Sequence, residues 1–170
     1  AAAASRSRLI SVLATRGTVA RDYTHALVRD HAANCEVTLV GSPLLAVIAE
    51  RVMRDEAVED AEIEREIAPC FVELDGRRTD QIVLACTHFP LIVDRLERLS
   101  PWPVGFVDPA QAIARRLDAL IGAAGPSAAE SGEGTAIFTS GEAPPPSLQK
   151  TLRRYGLMFT PAAMIGFAPA

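Results

Sequence analysis

The stretch VLACTHFPLIVDRL, residues 83–96, joins an apolar run to a helical pattern through Cys86, Thr87 and His88. The run from Gln81 to Ala85 suits a strand buried on both faces, as in a parallel sheet. The apolar spacing after His88 predicts a helix over 89–99. A strand feeding a helix is half of a βα unit, and small ligands bind outside the carboxyl ends of such strands in open α/β sheets. Three reactive or hydrogen-bonding side chains stand at that end, so one stretch marks both the fold class and a candidate active site.

The same unit recurs on either side. After AAAASRSR, which reads as a linker, Leu9 to Ala14 is a strand, Thr15-Arg16-Gly17-Thr18 a turn, and 19–32 a helix with Thr18 as its N-cap. Val37 to Val40 is the next strand, Gly41-Ser42 its turn, and Pro43 the first position of the helix LLAVIAERVM. An acidic amphipathic helix follows over 58–72, with Ile63, Ile67, Cys70 and Phe71 on its apolar face, and Gly76 marks a turn. Beyond Pro101-Trp102-Pro103 come a strand at 104–107, an N-cap signal at Asp108-Pro109, and the helix AQAIARRLDALIG. Residues 122–134 read as a loop, TAIFTSG as a strand with a turn, 146–155 as a helix, and the tail after Gly156 as weakly specified. Repeated alternation of this kind predicts an α/β fold, a parallel sheet flanked by helices.

Composition narrows the function. The 170 residues carry 17 basic and 21 acidic side chains, a net charge of −4, with the bases dispersed, which argues against nucleic acid as the main partner. No apolar run reaches the ~20 residues of a membrane span and no secretion signal is visible, so the expected location is the cytoplasm. Three cysteines match no zinc spacing and make a disulfide framework improbable; no metal is expected. ATRGTV has one glycine where a dinucleotide loop needs three, so no nucleotide cofactor is indicated.

Each candidate residue has a plain reading beside a chemical one. Cys86 at a strand-to-helix junction is either a buried structural thiol or a thiolate favoured by the helix N-terminus, able to act as nucleophile or proton-transfer base. His88 caps the helix, partners the thiol in acid–base work, or holds a carboxylate when protonated. Thr15, Thr18 and Ser42 are turn residues, or together a hydrogen-bonding cup for a small anion. Glu50 reads as a solvated helix face, His25 and His31 as solvated, and Cys70 as core.

LACTHFPLI closely resembles the second cysteine motif of bacterial glutamate racemases. The likeness extends in order through VLATRGTV, SPLLAVIAE, FVDPAQAIARRL and FTSGEAPPPSLQK, nearly the whole chain. The family implies a cofactor-independent racemase of two similar α/β lobes, in which two cysteines exchange the α-proton of glutamate on opposite faces, supplying D-glutamate for peptidoglycan. By that resemblance Cys86 is the second-lobe base. Thr87 and His88 bind substrate, His88 also assists Cys86, Glu50 supports His88, and Thr18 and Thr15 contact the substrate. Cys-Thr-His also separates the chain from aspartate racemases, which usually carry Glu where His88 stands.

The resemblance further implies that residues 1–103 form the second lobe, while 104–170 would complete a first lobe whose Cys-Asn-Thr motif does not occur here. Neither Cys35 nor Cys70 has a matching context. The expected chain is thus a C-terminal portion with half of the site, its apolar surface lacking a partner, and a homodimer is compatible with it. The competing readings are a carboxylate-binding fragment without turnover and a related racemase acting on another acid such as aspartate.

Overall fold

The computed structural model describes residues 1–122, 134–140 and 142–161. Strand β1 (Leu9–Thr15) is apolar on both faces and lies inside a four-stranded sheet, as continuous burial along LISVLAT requires. A short helix α1 (Arg16–Val19) and helix α2 (Asp22–His31) lead to β2 (Glu36–Ser42), which pairs parallel with β1 from Leu9↔Glu36 to Thr15↔Ser42. The single helix expected over 19–32 is therefore split, and Thr18 is not its N-cap; Arg21 holds that position. Gly41 permits a close approach: a Cβ there would stand 2.7 Å from Val19 Cγ2 and 3.1 Å from Arg16 Cα, so α1 sits directly on the β2 backbone.

Helix α3 (Leu45–Met53) starts two residues after Pro43, with Ser42 Oγ accepting the Leu45 N–H at 2.9 Å. Helix α4 (Asp60–Ile67) opens with a reciprocal capping box between Glu59 and Glu62 and ends in a 3₁₀ turn through Pro69. A small hairpin follows, β3 (Glu73–Leu74) and β4 (Arg77–Arg78), turning on Asp75 and Gly76, both with positive φ. β5 (Gln81–Leu84) pairs parallel with β1 on its other side, and Ala85 N–H extends the ladder to the Leu13 carbonyl at 2.8 Å. The helix expected over 89–99 begins as a 3₁₀ turn, Phe89–Ile92, before α5 (Val93–Arg98).

β6 (Gly105–Val107) pairs parallel with β5, giving the order β2-β1-β5-β6, and so continues the sheet across position 103. Connections leave β1 toward β2 on one side and β5 toward β6 on the other, so the strand order switches between β1 and β5, the place where open α/β sheets bind ligands outside their carboxyl ends. One sheet face carries the core: Leu13, Val40, Ile82 and Leu84 pack against α3, α4, α5 and the fully buried Phe89. The opposite face is covered more loosely by α2, in which only Thr24 is buried, and a cavity of about 660 Å³ lies between that helix and the strands.

Helix α6 (Ala110–Ile121) is exposed along its whole length. Farther on, β7 (Gly134–Ala136), α7 (Pro146–Arg154) and β8 (Leu157–Phe159) form a small unit in which β7 and β8 pair parallel. β8 falls in the tail that looked weakly specified. Thr151 Oγ1 ties α7 to the end of α3 by donating to the Met53 carbonyl at 3.0 Å. The loop expected at 122–134 lies, apart from its two ends, outside the described residues.

Candidate active site

The carboxyl edge of the sheet collects Thr15 from β1, Ser42 from β2, Cys86 after β5 and Asp108 after β6. Cys86 Sγ stands 3.8 Å from His88 Nδ1, and His88 Nε2 stands 3.1 Å from Glu50 Oε1. Three side chains from two elements thus form one line. Glu50 reaches His88 because α3 buries Leu45, Ile48 and Ala49 against the sheet, which leaves the next position on the flank nearest the 3₁₀ turn. The His88 ring does not cap the following turn, and its backbone alone occupies the N-cap position.

The line sets a tautomer. An ionised carboxylate only accepts hydrogen bonds, so Nε2 carries the hydrogen toward Glu50, and in the neutral ring the Nδ1 lone pair faces the thiol. A proton can then pass between Sγ and Nδ1 while Glu50 holds the ring and balances imidazolium charge. The second Glu50 oxygen lies 3.4 Å from Arg54 Nη2, a partner that sequence reading missed although it stands one helical turn away.

Cys86 and the exposed Thr87 line a cavity of about 620 Å³, with Asp108, Ile113 and Tyr155 on its far side. Asp108 was legible only as an N-cap signal; Pro109 holds the N-cap of α6 instead, and Asp108 Oδ1, one residue earlier, accepts the Ala110 N–H at 2.9 Å. Tyr155 carried no local signal, since the fold of α7 brings it there.

The hydroxyls of Thr15 and Thr18 are 3.0 Å apart and bond each other, and Thr18 lines the cavity beneath α2 rather than the one beside Cys86. Ser42 does not join a cup. It is buried, donates to Glu66 Oε2 and accepts from Leu45, while Glu66 also receives the Leu44 N–H at 3.2 Å. His25 and His31 are exposed, as expected. Cys70 is core: it is fully buried, and burial pushes its thiol up to about 12. Cys35 lies just before β2, at the amino edge, the opposite side of the sheet from Cys86. Among the described residues no group of three His, Cys, Asp or Glu side chains is placed to hold a metal ion, and no helix is long and apolar enough to cross a membrane.

Comparison with known proteins identifies the family. The family described as Asp/Glu/Hydantoin racemase matches residues 1–117. A glutamate racemase of Sinorhizobium medicae is 48% identical over 166 residues, 98% of this chain and 61% of that protein. A glutamate racemase of Brucella canis is 47% identical over 160 residues, 94% of this chain and 57% of that protein. The chain therefore spans about three fifths of the length of these curated relatives. Among solved structures, Escherichia coli glutamate racemase in complex with L-glutamate and the activator UDP-MurNAc-Ala superposes with a TM-score of 0.73. It shares 30% identity, over 94% of this chain and 60% of that one. A glutamate racemase isoform from Bacillus anthracis, at 18% identity and TM-score 0.69 over 93% of this chain and 58% of that one, shares the fold. A Cys-Thr-His edge on a parallel sheet, a family match over most of the chain and relatives near half identity lead to one conclusion: the chain belongs to the Asp/Glu/Hydantoin racemase family.

Proposed function

We propose that this chain supplies one half of a cofactor-independent glutamate racemase, converting L-glutamate to D-glutamate for peptidoglycan synthesis in the cytoplasm. The observation that carries the reading is the Glu50–His88–Cys86 line at the carboxyl edge of the sheet, in a chain 48% identical to a glutamate racemase. Glutamate as substrate is supported by the E. coli relative, which was solved with L-glutamate.

The α-proton of an amino acid is weakly acidic, so removing it needs a poised base on one face, a proton donor on the other, and stabilisation of charge developing at the carboxylate. Cys86 is the base on one face, with His88 Nδ1 exchanging its proton. Thr87 and His88 bind the substrate, and Thr15 contacts it from the same sheet edge with Thr18 acting through the hydroxyl bond to Thr15. The other base comes from the part of the longer relatives that this chain does not span. Cys70 does not serve, because it is sealed in the core, and Cys35 stands at the wrong edge. Residues 1–103 act as one lobe and 104–170 complete the other; the uncovered apolar stripe of α6 supports that division, and β6 is where the two meet.

The test follows ellipticity as L-glutamate is converted by the chain together with a first lobe of a family member. Racemisation is expected, and Cys86→Ser is expected to lower it by about 10²–10⁴-fold with an unchanged urea midpoint. An unaltered rate in that variant, or turnover of aspartate in place of glutamate, would overturn the reading. Sedimentation velocity on the same sample reads whether a homodimer forms.

A further inference from the structure

We infer that Arg54 is a positioning residue of the acid–base line: its guanidinium holds the Glu50 carboxylate turned toward His88, so that the imidazole keeps Nδ1 on Cys86. What the line does to a substrate rests on the racemase reading; the contacts around Arg54 belong to this chain alone.

Packing does not hold the line. The side chains of His88 and Glu50 are 37% and 47% exposed, so water competes for both, and a glutamate this open has rotamers in which neither oxygen meets Nε2. Hydrogen-bond partners therefore fix what the core leaves loose. Glu50 divides its oxygens between two of them: Oε1 lies 3.1 Å from His88 Nε2, and Oε2 lies 3.4 Å from Arg54 Nη2. A carboxylate held at both oxygens keeps one plane, whereas one held at a single oxygen swings.

Arg54 is placed to do this. It follows Glu50 by four positions, with the acid on the N-terminal side, the order that favours an ion pair along a helix. Its backbone is secured as the C-cap of α3, the N–H shared between the Glu50 and Arg51 carbonyls at 3.1 Å each. Beside it the Met53 carbonyl accepts the Thr151 hydroxyl at 3.0 Å, so α7 braces the same turn. Arg51 is drawn elsewhere, to Glu62 Oε2 at 2.7 Å and to the Ala57 carbonyl at 2.6 Å. Among the described residues, Glu50 forms ion pairs with Arg54 and His88 only.

The consequence is read at the sulfur. With Glu50 held, the ring donates from Nε2 and offers the Nδ1 lone pair to Sγ, 3.8 Å away. With Glu50 loose, the ring turns or changes tautomer and the thiol loses its base. Thiolate is the form that alkylates, so the alkylation rate of Cys86 reports on the whole line without a substrate or a second lobe.

The experiment treats the 170-residue chain with iodoacetamide near neutral pH and follows Cys86 and Cys35 separately by peptide mass spectrometry. Cys35, at the opposite edge of the sheet, is the internal reference. Glu50→Ala is expected to slow Cys86 about 10-fold relative to Cys35. Arg54→Ala is expected to slow it about 2–5-fold, the range of an exposed ion pair. Arg54→Lys should recover most of that loss, because the contact is made by one nitrogen rather than by a fork. In the Glu50→Ala background, Arg54→Ala should change nothing further. Should Arg54→Ala fail to fold, Arg54→Gln is read in the same way.

An unchanged or faster Cys86 in Arg54→Ala, or no recovery in Arg54→Lys, overturns the proposal. So does an equal slowing in the Glu50→Ala background, which would mean that Arg54 only stiffens the end of α3. With a first lobe of a family member added, Arg54→Ala should lower kcat for glutamate by the same factor of about 2–5 and leave KM within about 2-fold. Racemisation at full rate in Arg54→Ala sinks this proposal and leaves the racemase reading standing. No racemisation by the unsubstituted pair, with the alkylation pattern as expected, does the reverse.

Discussion

Helices α3 and α6 are written in the same code and end in opposite states. α3 buries Leu45, Ile48 and Ala49 on the sheet, while α6 carries Ile113, Leu117, Leu120 and Ile121 at the same helical spacing, each between 54% and 68% exposed. A 3.6-residue period determines that a helix has an apolar side, and nothing more. What buries that side is the neighbouring layer. α3 follows β2 and returns over a sheet at least three strands wide. α6 follows β6, a three-residue strand at the edge of the sheet among the described residues. The difference teaches that burial depends on the neighbouring layer: α3 closes over a shared core, whereas α6 leaves its apolar stripe exposed among the described residues.

The contrast breaks most readily in the core. Phe89→Ala removes a fully buried ring from between the sheet and α3, and is expected to cost about 3–5 kcal/mol in urea unfolding; a loss below about 1 kcal/mol would mean that this lobe is packed no better than α6. Next in size, Ser42→Ala strips a hydroxyl from the buried Glu66 carboxylate and from the Leu45 N–H. A loss of about 1–3 kcal/mol is expected by the same measurement, and no loss would mean that water replaces the hydroxyl.

A smaller effect concerns Asp80, which receives Ser5 Oγ and the N–H groups of Arg6 and Ser7. Burial pushes its carboxyl up, but those hydrogen bonds outweigh it and hold the group below its ordinary 3.8. A lowered folded value stabilises the fold above the ordinary one, and that contribution is lost as pH falls through the lowered value. Asp80→Asn is therefore expected to flatten the acid limb of stability and to release the amide protection of residues 1–8; an unchanged limb would count against the anchor. Smallest of all, Leu117→Glu on α6 should shift stability by less than about 0.5 kcal/mol while weakening binding of an added first lobe. A large destabilisation of the isolated chain would show that the stripe is already covered.

How much was legible depended on how local each signal was. Cys86, Thr87 and His88 could be placed at a strand end because an apolar run and a helical spacing meet there, and Cys70 could be assigned to the core from its helical face. Thr18 was misplaced as a cap because it lies inside the short helix α1, which packs on the β2 backbone at Gly41, more than twenty residues away. Ser42 was grouped with the threonines for its position, yet Glu66 on α4 claims its hydroxyl. Tyr155 and Arg54 beside the site went unseen, the first because α7 docks on α3 only in the folded chain.

By itself, then, the sequence determined the alternation of strands and helices, the parallel sheet it requires, and the edge on which Cys86 stands. These follow from period, turn residues and apolar runs, all short-range properties of the chain. Tertiary structure alone decided that Thr15 and Thr18 bond each other and that α3 is buried while α6 is bare, and it made the contact of Glu50 with His88 across 38 positions that only the family resemblance implied. Such pairings depend on strand order and on which layers pack together, and side chains far apart in sequence acquire their partners only when that packing closes.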